Sequence, residues 1–483
     1  MSARTVVVGG GLAGLLAARR HLAAGEQVTL LEAAPVLGGA IARTEVAGVE
    51  ISSGAEAYST GAGAVDALVA SLGLSAQVVE PRAGLASRIV SEAGVHRAPA
   101  GSLLGIPARP LGREARTVLG LPGALRAAAE PLLPARLGHR PGASVEQVVS
   151  RRLGRRTARR LVAPVVGGVH SADPRTLEFA TASPQLHAGL ARHGSLVRAV
   201  RALRGGSSRT AGTRVHSLSP TMAALPEALE AELRDGGADL RTSAEVTGIT
   251  DGTAGSAAVP ECARWTVRTG VEELPADRLV LACAPDLAAS LLAEADPELA
   301  AAIPEAPAAT VRLVALVVDA PALDAFPVGT GALVAPGTAG IRAKGLTHAS
   351  AKWAHVQQAA GAAHPEAAGP HVLRLSYGRP GEELPAREDI VAQALADASA
   401  ILGTELTATD LLGSAVLDWD RAMRQARPGH RGALAALTAL LEDRPALELR
   451  GSWRAGTGLD AIVRAENTLI SPPTDASTEG RPA

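Results

Sequence analysis

The clearest chemistry in this sequence is carried by glycine. The run Thr5-Val-Val-Val ends in Gly9-Gly10-Gly11-Leu12-Ala13-Gly14, a Gly-x-Gly-x-x-Gly pattern leading into Leu15-Leu-Ala-Ala with apolar residues at helical spacing. Gly9 permits a tight turn, Gly11 lets a pyrophosphate approach the backbone, and Gly14 permits close helix packing, while the amide-rich helix start favours phosphate. Gln27-Val-Thr-Leu-Leu31 reads as a second strand ending at Glu32, 18 residues after Gly14. A carboxylate there accepts hydrogen bonds from an adenosine ribose with a free 2′-hydroxyl, which favours FAD or NAD over NADP.

Other chemistry is sparse. No Ser-His-Asp arrangement, carboxylate pair or metal-ligand spacing stands out. Cys262 and Cys283 cannot build a disulfide framework, which fits a reducing cytoplasm; Cys283 ends a strand and is expected to pack. His170 and His430 read as structural histidines. The segment AKGLTHASAKW holds both lysines, Lys344 and Lys352, against 45 arginines. As a strand, residues 341–353 would set Lys344, Lys352 and Arg342 on one face, because side chains alternate with period 2.

The elements that must position these groups show in the periodicity. Residues 101–204 read as helical, with Val145–Leu153 and 157–166 apolar at every third or fourth position. Gly205-Gly-Ser-Ser208 reads as a flexible connection, Met222–Leu233 as an amphipathic helix, and 239–249 and 265–268 as strands. Residues 279–284 read as a buried strand running into Pro285, and 311–318 and 372–376 as further strands. The polar, proline-broken tail 471–483 is expected to be disordered. The fold class is α/β.

With 483 residues, 47% of them hydrophobic and 20% charged, the chain is long enough for two or three domains. Its net charge is −1, yet residues 109–204 hold 17 arginines and five carboxylates, a net +12. Solvated helix faces account for this plainly; attraction to anionic lipid, an anionic substrate or an acidic partner accounts for it functionally. Nucleic acid is disfavoured, since aromatic residues make up only 2% and base stacking needs them. No apolar run reaches the roughly 18 residues that span a bilayer, and no basic leader precedes Thr5.

Leu37-Gly38-Gly39-Ala40-Ile-Ala-Arg43-Thr44 and Gly54-Ala55-Glu56-Ala57-Tyr58 resemble the flavin-containing amine oxidase superfamily, whose second glycine pair lies along FAD. Two arginines common in that motif are replaced here, by Ala34 or Val36 and by Ala40. Further stretches resemble the bacterial coproporphyrinogen III oxidases related to protoporphyrinogen oxidase. They include 95–107, Arg152-Leu-Gly154, 161–177, AKGLTHASAKW, Arg374-Leu-Ser-Tyr-Gly-Arg379, Trp419 with Met423-Arg-Gln425, Gly429-His430, and Gly451-Ser-Trp-Arg-Ala-Gly-Thr-Gly-Leu459. Departures are Arg424 in place of Pro, Ala426 in place of Tyr, and Thr221 in place of Gly.

The resemblance implies a discontinuous Rossmann-like FAD domain (1–75, 205–285, 409–470), a sheet-based substrate domain (76–100, 286–408) and an α-helical insertion (101–204). It implies FAD contacts at Gly9, Gly10, Gly11, Leu12, Ala13, Gly14, Glu32, Ala33, Ala40, Gly54, Ala55, Glu56, Ala57, Val246, Trp419, Thr457, Gly458 and Leu459. It also implies an oxygen-dependent, six-electron oxidation of coproporphyrinogen III, with protoporphyrinogen IX as the alternative substrate. Another flavin amine oxidase, a carotenoid desaturase or a non-catalytic porphyrin-handling flavoprotein are the remaining readings. Cations at the cavity mouth should steer the substrate's propionates, with Arg97 and Lys352 beside Trp353 as first candidates and Lys344 and Arg374 next. The expected partners are a porphyrinogen and O2, with transient contact to a downstream haem-pathway enzyme or an anionic membrane surface, in the cytoplasm.

Overall fold

The computed structural model describes residues 2–138, 140–169, 171–204, 215–252 and 264–470. Gly205–Ser208, Cys262, His170 and the tail 471–483 therefore lie outside the described residues.

The β-branched strand Arg4–Val8 is flanked on both sides, as its near-continuous burial requires of a central parallel strand. It pairs in parallel with Gln27–Leu31 and Arg278–Leu281; Asp239–Arg241 and Leu447–Leu449 complete a five-stranded sheet. One sheet thus gathers three distant parts of the chain. Helices Leu12–Ala23, Ala224–Asp235 and Leu459–Ile470 share one apolar core, through Leu15, Leu229 and Ile462 among others. The antiparallel strands Val246–Asp251, Trp265–Thr269 and Glu273–Ala276 form a separate small sheet.

A second large sheet has seven strands, in the order Leu411–Ala422, Ala309–Asp319, Pro370–Tyr377, Gly345–His348, Gly331–Val334, Arg88–Ser91, Gly94–Arg97. Period-2 alternation divides its side chains. Leu373, Leu375 and Tyr377 pack with Val314 and Leu316 against helix Ile390–Leu402. Val372, Arg374 and Ser376 take the opposite face, with Val311 and Leu313 on the neighbouring strand.

Among the described residues of 101–204 helices predominate, from Arg113–Ala128 to Leu196–Arg204, with a core of their own around Val118, Val149, Leu161 and Val197. Helix Val145–Leu153 starts where Ser144 and Gln147 form a capping box. Several arginines of this basic stretch are used internally. Arg152 is fully buried, pairs with Glu130 at 2.6 Å and donates to the carbonyls of Leu137 and Gly194. Among the described residues, no helix is long and apolar enough to cross a membrane.

Two expected strands differ. The 239–249 stretch breaks into Asp239–Arg241 and Val246–Asp251, because Ser243 adopts a left-handed φ of 52° and turns the chain. Residues 341–353 are not one strand. Gly345–His348 is extended, then Ala349–Lys352 forms a helical turn. Lys344, Lys352 and Arg342 therefore do not share a strand face.

Candidate active site

The nucleotide end is built from backbone. Gly9 has φ of +107°, and a Cβ on Gly14 would lie 1.8 Å from the Gly9 carbonyl oxygen, so turn and helix meet at a distance only glycine permits. Helix Leu12–Ala23 begins at Gly11 with no side chain capping it, leaving its first amides available to an anion. Glu32 braces this turn. One carboxylate oxygen accepts the Gly10 amide at 2.6 Å and the other accepts the Ala34 amide at 2.8 Å. Glu32→Ala removes both acceptors; affinity for a dinucleotide seated on this turn should fall about 10- to 100-fold, at roughly 1–3 kcal/mol for such a loss, measured by release of the bound cofactor on dilution.

A cavity of about 920 Å³ continues from this end. Gly9, Gly11, Glu32, Ala33 and Val246 line it, as do Ala40, Gly54, Ala55, Ala57, Trp419, Thr457, Gly458 and Leu459. Gly10, Leu12, Ala13 and Gly14 lie in the turn and helix behind that lining. The seven-stranded sheet supplies another wall by register: Leu313 stands opposite Ser376, Ser376 opposite Gly345, and Val311 opposite Trp419. The Trp419 indole donates to the Ser53 carbonyl at 3.1 Å.

Lys344, next to that row, is 1% exposed and lines the cavity. Its Nζ donates to Ser171 Oγ at 2.7 Å and to the Gly378 carbonyl at 3.2 Å, and among the described residues it has no carboxylate partner. Burial, reinforced by nearby Arg379, pushes its pKa down to about 8.

Lys352 and Trp353 are elsewhere. Both converge on Glu56, behind the 54–57 segment. The Trp353 indole donates to Glu56 at 2.6 Å, Arg374 pairs with it at 3.0 Å, and Lys352 lies 3.7 Å away and over the Trp353 ring. Arg374 also donates to the Gly54 carbonyl at 3.0 Å. Burial alone would raise the Glu56 carboxyl; Lys352, Arg374 and the indole hold it below the usual range. Glu56, Lys352 and Trp353 thus fix the segment that lines the cavity without lining it themselves. Arg97 sits exposed on the edge strand Gly94–Arg97, at the far end of the sheet from Trp419, and is not brought to the cavity.

The cavity also takes Arg421, Met423, Arg424 and Trp453, which sequence reasoning did not single out as site residues. Trp453 donates to the Cys283 carbonyl at 3.2 Å. The available signal was its rarity, one of four tryptophans in the chain. Cys283 borders the cavity as well as packing, and burial pushes its thiol up to about 12, which leaves it no thiolate near neutral pH. His430 is buried and bonds the Trp453 carbonyl at 2.8 Å. Ser350, His371 and Asp324 are within hydrogen-bond reach in series, but Ser350 and His371 are fully buried in core, out of reach of a substrate.

A family model for flavin-containing amine oxidoreductases matches residues 12–458 of this chain. The chain belongs to that family. Within it, a coproporphyrinogen III oxidase of Mycobacterium leprae is 31% identical over 480 residues, covering 96% of each chain. One of Propionibacterium freudenreichii is 30% identical, covering 72% of this chain and 69% of its own. The fold is shared with a candidate protoporphyrinogen oxidase from Exiguobacterium sp. 255-15 (TM-score 0.79, 24% identity, 97% and 98% covered). A putrescine oxidase variant also shares it (TM-score 0.67, 16% identity, 98% of both chains).

A flavin-containing amine oxidoreductase of this kind uses FAD, and the chain fits that cofactor. A Cβ on Gly11 or on Gly458 would meet no surrounding protein atom within 4 Å, so open space adjoins the cavity backbone at both positions. Uncapped amides stand at one end of the fold's Rossmann turn and the Glu32 carboxylate at the tip of the next strand. This flavoprotein is an FAD-dependent oxidoreductase.

Proposed function

We propose that this chain oxidises coproporphyrinogen III to coproporphyrin III in haem biosynthesis, removing six electrons in three steps, with three O2 reduced to three H2O2. The observation that carries the reading is its full-length relatedness to coproporphyrinogen III oxidases. The cavity's chemistry agrees with it.

In this reading the amides of Gly9 to Gly14 hold the pyrophosphate, Glu32 and Ala33 the ribose, and Val246 the adenine. Ala40, Gly54 to Ala57, Trp419 and Thr457 to Leu459 hold the flavin end, with Glu56 acting through the backbone it anchors. Bound there, FAD supplies hydride acceptance from the substrate and electron transfer to O2. The chain's own work is positioning. Val311, Leu313 and Met423 exclude water beside the macrocycle, and Lys344 meets a propionate. A strong protein base is not required, because the pyrroles flanking each bridging methylene delocalise the positive charge left behind and their N–H protons depart to water.

Lys344→Met should raise KM for coproporphyrinogen III about tenfold, since a buried charge-assisted contact is worth roughly 1.5–3 kcal/mol. The ammonium is present below its free-enzyme pKa of about 8 and lost above it. Wild-type kcat/KM should therefore fall above about pH 8, and that limb should vanish in Lys344→Met. Steady-state kinetics with coproporphyrinogen III and protoporphyrinogen IX test the substrate choice: a higher kcat/KM on the tetracarboxylate supports this reading, and a higher value on the dicarboxylate replaces it.

A further inference from the structure

A second cavity, of about 480 Å³, adjoins the first and shares Arg424, Ser452, Trp453 and Thr457 with it as a common wall. It opens between the helical block, which contributes Leu177 and Thr181, and the helices that begin at His430 and Leu459. Its lining is one-signed. Arg424, His430, Arg431, Arg454 and Arg464 face it, and no aspartate or glutamate is among its lining residues.

The four guanidiniums are only partly neutralised. Arg424 pairs with Asp286 at 3.1 Å and Arg464 with Asp460 at 3.0 Å. Arg454 donates to the Leu449 carbonyl at 2.8 Å and to Thr438 Oγ1 at 3.0 Å, both neutral. For Arg431 the structure gives no hydrogen bond or ion pair among the described residues. His430 is 7% exposed; its Nε2 faces the Trp453 carbonyl, which can only accept, so Nε2 carries a proton, and among the described residues Nδ1 has no partner. Two direct carboxylate partners for four guanidiniums leave a positive lining that attracts an anion, and planar guanidiniums match carboxylates in geometry.

We propose that this cavity is a carboxylate site for the tetrapyrrole's propionates, taking those that project away from Lys344. It would thereby select a tetracarboxylate macrocycle over a dicarboxylate one. The inference rests on the porphyrinogen reading above and adds the residues that set its specificity. The substrate and the oxidised product carry the same carboxylates, so kinetics and product binding are measured separately.

The test uses the FAD-loaded full chain. Arg431→Glu/Arg464→Gln alters two exposed side chains, and Arg431→Ala removes one for which no partner is seen. KM for coproporphyrinogen III should rise about tenfold in the double variant and about threefold in Arg431→Ala, with less than about twofold change for protoporphyrinogen IX. Kd for coproporphyrin III, read by porphyrin fluorescence, should weaken in the same order while the flavin spectrum is retained. Equal changes for both porphyrinogens, no change for either, or flavin loss from both variants would overturn the site. Wild-type protein that binds coproporphyrin III through these arginines but oxidises neither porphyrinogen would keep the site and sink the oxidase reading. Wild-type turnover untouched by the substitutions would do the reverse.

Discussion

Gly14→Ala is expected to yield a chain that retains no FAD. A Cβ there would sit 1.8 Å from the Gly9 carbonyl oxygen and 3.3 Å from Ala282 Cβ. The first clash is with backbone, so no rotamer relieves it. Either helix Leu12–Ala23 moves away from the strand or the turn opens, and both displace the amides that must meet the pyrophosphate. A cost of at least ~3 kcal/mol corresponds to a loss of more than about 100-fold in FAD affinity. Flavin absorbance after gel filtration and a titration of added FAD check this. Gly11 provides the contrast, since a Cβ there meets no protein atom within 4 Å. In the proposed FAD-binding mode a substitution at Gly11 would be opposed by the ligand and not by the fold.

Glu56→Gln is expected to destabilise the protein by about 3 kcal/mol, the order found when one partner of a buried ion pair is removed. The change leaves Lys352 and Arg374, 16% and 7% exposed, facing one another without a counter-charge. Lys352→Met in the same chain should recover part of the loss, because it removes one of the stranded cations. Thermal and denaturant unfolding of the FAD-loaded protein give both numbers. The folded carboxyl is held below its unfolded value, so its contribution is full above about pH 4.3 and lost as pH falls through the folded value. Lower FAD affinity should accompany the destabilisation, since Arg374 ties the same knot to Gly54.

These two sites also separate what was legible in the sequence from what was not. Gly9, Gly11, Gly14 and Glu32 act through local backbone geometry, and their spacing alone carries the meaning. Glu56, Lys352 and Trp353 act through one another across about 300 residues of chain, and nothing in any of the three segments announces the meeting. The lysines illustrate the same limit. Both stand out by rarity, but which one reaches the cavity depends on the strand ending at His348, a tertiary outcome. Lys344, the lesser candidate, lines the cavity, and Lys352 is turned to the loop behind it. The arginine cavity was hidden more completely, since its cations come from three separate segments and are inconspicuous in a chain with 45 arginines.

Oxidation of a porphyrinogen by FAD held in the 920 Å³ cavity is read by mixing purified, FAD-loaded protein with coproporphyrinogen III in air and following porphyrin fluorescence and an oxygen electrode. The expected result is coproporphyrin III formed far faster than by autoxidation, with three O2 consumed and three H2O2 released per macrocycle. Porphyrin formation no faster than in the protein-free control would contradict it.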